Sequence, residues 1–262
     1  MIELLRKDGP PLRIGHRGAA AIEPENTLRS FRAAVEVGVD LIEFDVLDLP
    51  GGPLVLAHSD DLYEVSHGAA AGSVRDCALE ELREIAPELP TLDEALAFFV
   101  DEAPGVGLHV DLKLATRLDE LVAALERHGL VGRSVVSSFH RPSLHAVARA
   151  SDRVRIGFTF PEDRAGVTRR RALSPFIRPG AAALRATIAS RVPSLLRRAG
   201  ATALMLHYAV VTPAGVARAH RHGAAVFAWT VDDPIEIERM LAAGVDGVIT
   251  NDPRLLVATL TP

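Results

Sequence analysis

Cysteine occurs once in the 262 residues, as Cys77, which excludes an intramolecular disulfide framework and suits a reducing compartment. Long apolar runs are missing too, and no stretch approaches the roughly 18 residues that suggest a membrane-spanning helix. The first residues carry Glu3, Arg6, Lys7 and Asp8 without an apolar stretch, so no secretory leader is expected and the chain is placed in the cytoplasm. There is no surplus of positive charge. The net charge is −5, so nucleic acid is not an expected partner. HExxH, GxSxG, paired cysteines and glycine-rich nucleotide loops are all absent, which leaves zinc-protease, serine acyl-transfer and dinucleotide chemistry without support. Lysine is scarce: of 29 basic residues only Lys7 and Lys113 are lysine, so position 113 is an exception in a chain that otherwise uses arginine.

With 48% hydrophobic and 24% charged residues, the chain has the material for a large core. Short apolar runs alternate with amphipathic stretches, the pattern of β/α units around a parallel sheet. Strands are expected at 12–15, 39–46, 53–58, 106–112, 134–139, 153–160, 202–207, 224–230 and 245–250. Only LDLPGG separates 39–46 from 53–58, too short for a parallel crossover, so 53–58 should turn back antiparallel. Eight parallel strands are left. Helices fit 27–37 (capped by Asn26 and stopped by Gly38), 91–101 (Thr91 with Glu94 as a capping box), 117–128, 141–150, 213–222 and 234–243. A short helix fits 78–85 and another the alanine-rich 181–189. The fold class is therefore α/β: one (β/α)8 barrel domain over 1–262, with a small insertion at about 47–90 after the second strand. A second long connection, 161–200, holds Arg169–Arg170–Arg171, either a solvated turn or a hold for an anionic headgroup.

In such a barrel the site lies at the C-terminal ends of the strands. The first strand runs into His16–Arg17–Gly18, the second carries Glu43 and Asp45, the hairpin strand ends at His58, and the third barrel strand carries Asp111 and Lys113. Period-two alternation puts Glu43 and Asp45 on one face, opposite Ile42, Phe44 and Val46. Adjacent interior carboxylates repel, so a hard divalent cation such as Mg²⁺ or Ca²⁺, or facing arginines, must lie between them. Asp111 adds a third carboxylate, and Lys113 on the same face can meet a phosphate or neutralise the acids. His16 and His58 open onto the same rim and could serve as an acid and a base; Arg17 could grip phosphate with two parallel hydrogen bonds. His109 shares the Asp111 face deeper down, and His207 is a further candidate for the pocket wall. The remaining histidines, His220 among them, read as solvated.

At these positions the chain resembles the glycerophosphodiester phosphodiesterase family. The echoes run from Ile14–Gly15–His16–Arg17–Gly18 through Pro24–Glu25–Asn26–Thr27, Glu43–Phe44–Asp45–Val46, Leu56–Ala57–His58 and Asp111–Leu112–Lys113. They continue to Ser138–Phe139, Phe227–Ala228–Trp229–Thr230–Val231 and Asp246–Gly247–Val248–Ile249–Thr250–Asn251–Asp252–Pro253. The resemblance implies metal-dependent hydrolysis of a small phosphodiester to glycerol 3-phosphate and an alcohol. It implies Glu43, Asp45 and Asp111 as metal ligands, His16 and His58 as the acid–base pair, Arg17 and Lys113 on the phosphate, and Trp229 beside the glycerol or the leaving group. Attack would come from water, or from a substrate hydroxyl through a cyclic phosphate.

The chain departs from the family pattern on the pocket side. Asp111 stands where Glu is usual, Ser59 follows His58 where Asp is usual, and Asp232 stands where Asn is common. The arginine and threonine that commonly follow the second histidine are not recognisable in 62–68. A shifted substrate is compatible with these changes. Two rival readings follow: hydrolysis of lysolipids in the manner of a lysophospholipase D, with the apolar segment 173–196 at the rim, or a barrel that binds an anion without turnover.

Overall fold

A computed structural model describes residues 2–6, 9–162 and 174–260. Its strands are β1 (Leu12–Gly15), β2 (Leu41–Asp48), β3 (Leu54–Leu56), β4 (Gly107–Leu112), β5 (Ser134–Ser138), β6 (Arg155–Phe160), β7 (Ala203–His207), β8 (Ala225–Trp229) and β9 (Gly247–Thr250). They are hydrogen-bonded in the order β1-β9-β8-β7-β6-β5-β4-β2-β3, and β1 also pairs with β2. That last pairing closes eight parallel strands into a barrel. β3 stays outside it, antiparallel to β2 with Leu47 opposite Val55, as the short LDLPGG connection requires.

The helices are α1 (Leu28–Val37), α2 (Leu62–Val65), α3 (Leu79–Ile85), α4 (Leu92–Asp101), α5 (Leu118–Arg127), α6 (Arg141–Ala150), α7 (Ser174–Ala199), α8 (Pro213–His220), α9 (Pro234–Ala243) and α10 (Arg254–Leu260). Local chemistry sets their ends. Thr91 accepts from the Glu94 amide at 3.2 Å while Glu94 accepts from the Thr91 amide at 2.8 Å, a reciprocal capping box. Gly38 and Gly244 end α1 and α9 in the left-handed conformation, at φ 91° and 77°. The cap of α1 differs from the expectation. Thr27, not Asn26, accepts from the Ser30 amide, and Asn26 lies at φ 57° with its side chain turned to the barrel.

Alternation along β2 divides the apolar residues between two cores. Ile42, Phe44 and Val46 point outward to the helices, where Phe44, Phe31, Phe98 and Phe99 form a cluster of touching rings, Phe44 and Phe99 being 5.7 Å apart. Leu41 faces inward with Ile14, Val135, Met205, Phe227 and Ile249. Leu4 is buried against this inner core, and Ile2 and Leu5 pack on it. The opening residues thus plug the barrel floor, tied by the Arg6 amide donating to Asp246 at 2.6 Å. His220 donates to the same carboxylate at 2.8 Å, so it is a bonded structural residue and not a solvated one.

The insertion after β2 has a small core of its own, in which Leu62, Val74, Leu82 and Leu89 pack on Leu47 and Val55. α7 buries Ile188, Val192, Leu195 and Leu196, so the described part of the apolar segment 173–196 covers the barrel. Arg169–Arg170–Arg171 lie outside the described residues. Among the described residues no helix is long and apolar enough to cross a membrane.

Candidate active site

The eight residues singled out by sequence, His16, Arg17, Glu43, Asp45, His58, Asp111, Lys113 and Trp229, line a single cavity of about 170 Å³. Strand register explains why. β2 and β4 pair with Glu43 beside His109 and Asp45 beside Asp111, and β5 continues the layer with Ser137 beside Asp111. One layer of the barrel mouth is therefore polar, and the layers below it are apolar.

Glu43, Asp45 and Asp111 are 5%, 1% and 6% exposed, and each offers an oxygen within 4.8 Å of the others. Two permanent cations meet them. Lys113 Nζ is 3.0 Å from Asp45 and 2.5 Å from Asp111, and Arg17 Nε is 3.0 Å from Asp45. Burial alone would raise Asp45, but Lys113 and Arg17 hold it far below the usual carboxylate range. Glu43 goes the other way: burial, Asp45 and Asp111 push it well above its ordinary value. Lys113 is raised despite burial, by Asp111 and Asp45. Three carboxylates against two cations leave one negative charge over, and Glu43 is the group that carries the strain.

The loop after β1 is folded so that Arg17 can reach this layer. Arg17 lies at φ 50°, its amide donates to Glu43 at 2.9 Å, and its carbonyl accepts from Ser30 Oγ at 2.8 Å. Gly18 follows at φ 89°, where a Cβ would come within 2.7 Å of the Ser30 backbone, so only glycine fits. Asn26 then donates to Asp45 at 2.9 Å and accepts the Asp45 amide at 3.1 Å. Glu25 pairs with Arg17 at 2.7 Å.

Each histidine of the pair has a partner that fixes its tautomer. Asp232 accepts from Asn251 Nδ2 at 2.6 Å, which turns the Asn251 carbonyl oxygen to His16 Nδ1 at 2.7 Å. His16 therefore donates through Nδ1, and its Nε2 is free, 3.9 Å from Glu43. Burial and the neighbouring Arg17 lower its pKa to about 4, so it is neutral near pH 7. His58 Nδ1 faces Glu64 at 2.7 Å.

His109 bonds through Nε2 to Ser137 Oγ at 2.8 Å, and Ser137 donates to Asp111 at 2.5 Å. It thus supports Asp111 from below. His207 stacks on Tyr208 and meets Trp229 edge-on, with ring centres 5.1 Å apart, so it buttresses the tryptophan. Trp229 is held further by its Nε1 donating to Met205 O at 2.9 Å, and by Phe139 at 5.8 Å.

Several residues at the mouth are not legible in the sequence. Asn26 reads there as a helix cap, and Glu64, Ser137 and Asn251 have no periodic signal of their own. Asn251 and Phe139 fall within the family echoes, which are the one signal for them.

An eight-stranded parallel barrel with buried carboxylates and two tautomer-fixed histidines at its mouth defines a class of enzyme. Residues 16–255 match the Glycerophosphoryl diester phosphodiesterase family, and the chain belongs to it. It is similar to the glycerophosphodiester phosphodiesterase of Caldanaerobacter subterraneus subsp. tengcongensis, with 30% identity over 260 residues, covering 94% of this chain and 96% of that one. The glycerophosphodiester phosphodiesterase structure from Thermotoga maritima matches at a TM-score of 0.71 and 24% identity, covering 95% of this chain and 99% of that one. An Oleispira antarctica phosphodiesterase, solved in complex with the product sn-glycerol-3-phosphate, matches at a TM-score of 0.72 and 22% identity, over 95% and 96% of the two chains. The two structures share the fold.

Proposed function

We propose that the protein hydrolyses small glycerophosphodiesters to glycerol 3-phosphate and an alcohol, in a reaction that needs a divalent cation and uses His16 and His58 as base and acid. The observation that carries this reading is the meeting of three buried carboxylates, two cations and two histidines in one cavity. The donor set is all oxygen, and the surplus negative charge raises Glu43, so Glu43, Asp45 and Asp111 fit a hard cation such as Mg²⁺ or Ca²⁺. Such an ion, when bound, polarises a phosphoryl oxygen and offsets the charge that develops there.

The chain's own residues do the rest. Arg17 and Lys113 face the phosphate and offset its charge. His16 has a neutral amide on Nδ1 and a free Nε2, so it takes the proton from the attacking group, water or a substrate hydroxyl. His58 has its Nδ1 held by the Glu64 carboxylate and its Nε2 turned to the cavity, so it delivers a proton to the leaving oxygen. Trp229, set by Phe139 and His207, flanks the glycerol or the leaving group.

Purified protein should release glycerol 3-phosphate from glycerophosphocholine or glycerophosphoethanolamine with Mg²⁺ or Ca²⁺, and stop when a chelator is added. Turnover of micellar lysolipid alone would replace this reading with a lysophospholipase D. No turnover of any diester with any metal would leave an anion-binding barrel.

A second expected result concerns Glu43. Burial beside Asp45 and Asp111 makes it keep its proton at pH values where an ordinary glutamate has lost it. A ligand must be ionised, so cation binding should release up to one proton, and apparent affinity should rise with pH until Glu43 is ionised in the free protein. Titration calorimetry in buffers of different ionisation heat measures this directly. Binding with no proton released would remove Glu43 from the ligand set.

A further inference from the structure

We infer that Glu64, in the insertion after β2, is the positioning residue of His58, holding its Nδ1 so that Nε2 faces the leaving oxygen. This inference rests on the assignment of His58 as the acid.

The geometry is specific. Glu64 Oε1 accepts from His58 Nδ1 at 2.7 Å, and Oε2 accepts from Ser59 Oγ at 2.7 Å, so both oxygens are committed and the carboxylate cannot rotate away. A carboxylate only accepts hydrogen bonds, which fixes one His58 proton on Nδ1 and leaves Nε2, where a second proton would be carried, toward the cavity. Arg17 Nη1 lies 3.7 Å from the same Oε1, so the pair also borders the phosphate-facing cation. The His58 contact holds Glu64 down at about 2, an ionised group at any working pH.

The platform beneath Glu64 is built for placement. α2 is a single turn, anchored by buried Leu62, by Asp61 accepting the Tyr63 amide at 3.0 Å, and by the Leu62 amide donating to Gly72 O at 2.9 Å. Asp60, next to that turn, accepts from Ser73 Oγ at 2.9 Å and from the Arg75 amide at 2.8 Å, which ties both arms of the insertion together. Ser59, the residue next to His58, is the one that locks Glu64.

His58 also lines a second cavity, of about 100 Å³, between the insertion and the barrel, with Asn26, Glu64, Ile85 and Leu89 among its walls. Among the described residues it is the one that lines both this cavity and the one containing the carboxylates. The acid thus stands at the border between the two. In the step itself the attacking oxygen bonds to phosphorus as the P–O bond to the alcohol breaks, the electron pair of the broken bond stays on the alcohol oxygen, and the doubly protonated His58 passes its Nε2 proton to that oxygen while its Nδ1 proton stays hydrogen-bonded to Glu64. His16 has meanwhile taken the proton of the attacking group, and solvent restores both histidines.

The test compares two diesters of glycerol 3-phosphate: glycerophosphoethanolamine, whose alkoxide needs a proton to leave, and the p-nitrophenyl diester, whose phenolate does not. Glu64→Ala and His58→Ala should each lower kcat on the first by about 100-fold and on the second by less than about threefold. Glu64→Gln keeps an acceptor oxygen for Nδ1 and should recover about tenfold of the loss. Equal losses of Glu64→Ala on both diesters would mean a merely structural role, and no loss on either would mean no role; both overturn the inference. Selective loss in His58→Ala without it in Glu64→Ala defeats the inference alone. Non-selective loss in His58→Ala, or a wild type inactive on both diesters, defeats the acid assignment and the inference together.

Discussion

Replacing His16 by alanine is expected to lower kcat by about 10²- to 10⁴-fold, the range a positioned base contributes. The loss should be alike on alkyl and nitrophenyl diesters, because the base acts on the attacking group and not on the leaving one. KM should change little, since Arg17 and Lys113, the residues proposed to face the phosphate, pair with carboxylates and not with the imidazole. The substitution removes one hydrogen bond, from Nδ1 to Asn251, whose other contacts to Asp232 remain. The protein should therefore fold and bind its cation as the wild type does. Steady-state release of glycerol 3-phosphate decides the matter, and a loss below about tenfold would take the base role from His16.

Asp45→Asn should be the more damaging change, because Asp45 belongs to the proposed cation site and also holds the fold. The carboxylate is 1% exposed, lies 3.0 Å from both Lys113 Nζ and Arg17 Nε, and accepts from Asn26 Nδ2 at 2.9 Å. Neutralising it leaves two buried cations with one fewer partner each. Breaking a buried pair in this way costs about 3–5 kcal/mol. Lys113 keeps Asp111 and Arg17 keeps Glu25, so the lower end of that range is expected, about 3 kcal/mol. For a chain of this size that corresponds to a fall in Tm of about 6–12 °C. Cation binding and turnover should be lost together. A variant that melts like the wild type and still turns over would show that neither the pairing nor the ligand assignment is correct.

The parts of this site that could be seen in advance were charged residues inside apolar strands. Glu43, Asp45 and Asp111 stood out because burying such a group demands a partner, and Lys113 because the chain uses lysine so rarely. Their common cavity followed from strand alternation and from the barrel's single open face. The supporting residues were harder to read. Asn26 suits both a helix cap and a hold on a carboxylate, and only the left-handed backbone at φ 57° decides between them. Glu64 meets His58 across a turn with no periodicity, and His220 meets Asp246 between segments 26 residues apart. The floor plug was hidden differently: Ile2, Leu4 and Leu5 are mixed with Glu3 and Arg6, and look like a solvated tail until the barrel supplies an interior for them.

The carboxylates and permanent cations of the cavity come from residues 17 to 113, on three neighbouring strands and their exits, while Met205, Trp229 and Thr230 belong to an uncharged part of its wall. On the proposed function, bond cleavage and molecular taste would thus be encoded in different stretches of the gene. Mutations that reshape this uncharged part would leave the ionic balance untouched, so a lineage built on such an arrangement could trade one alcohol for another without relearning how to break the ester.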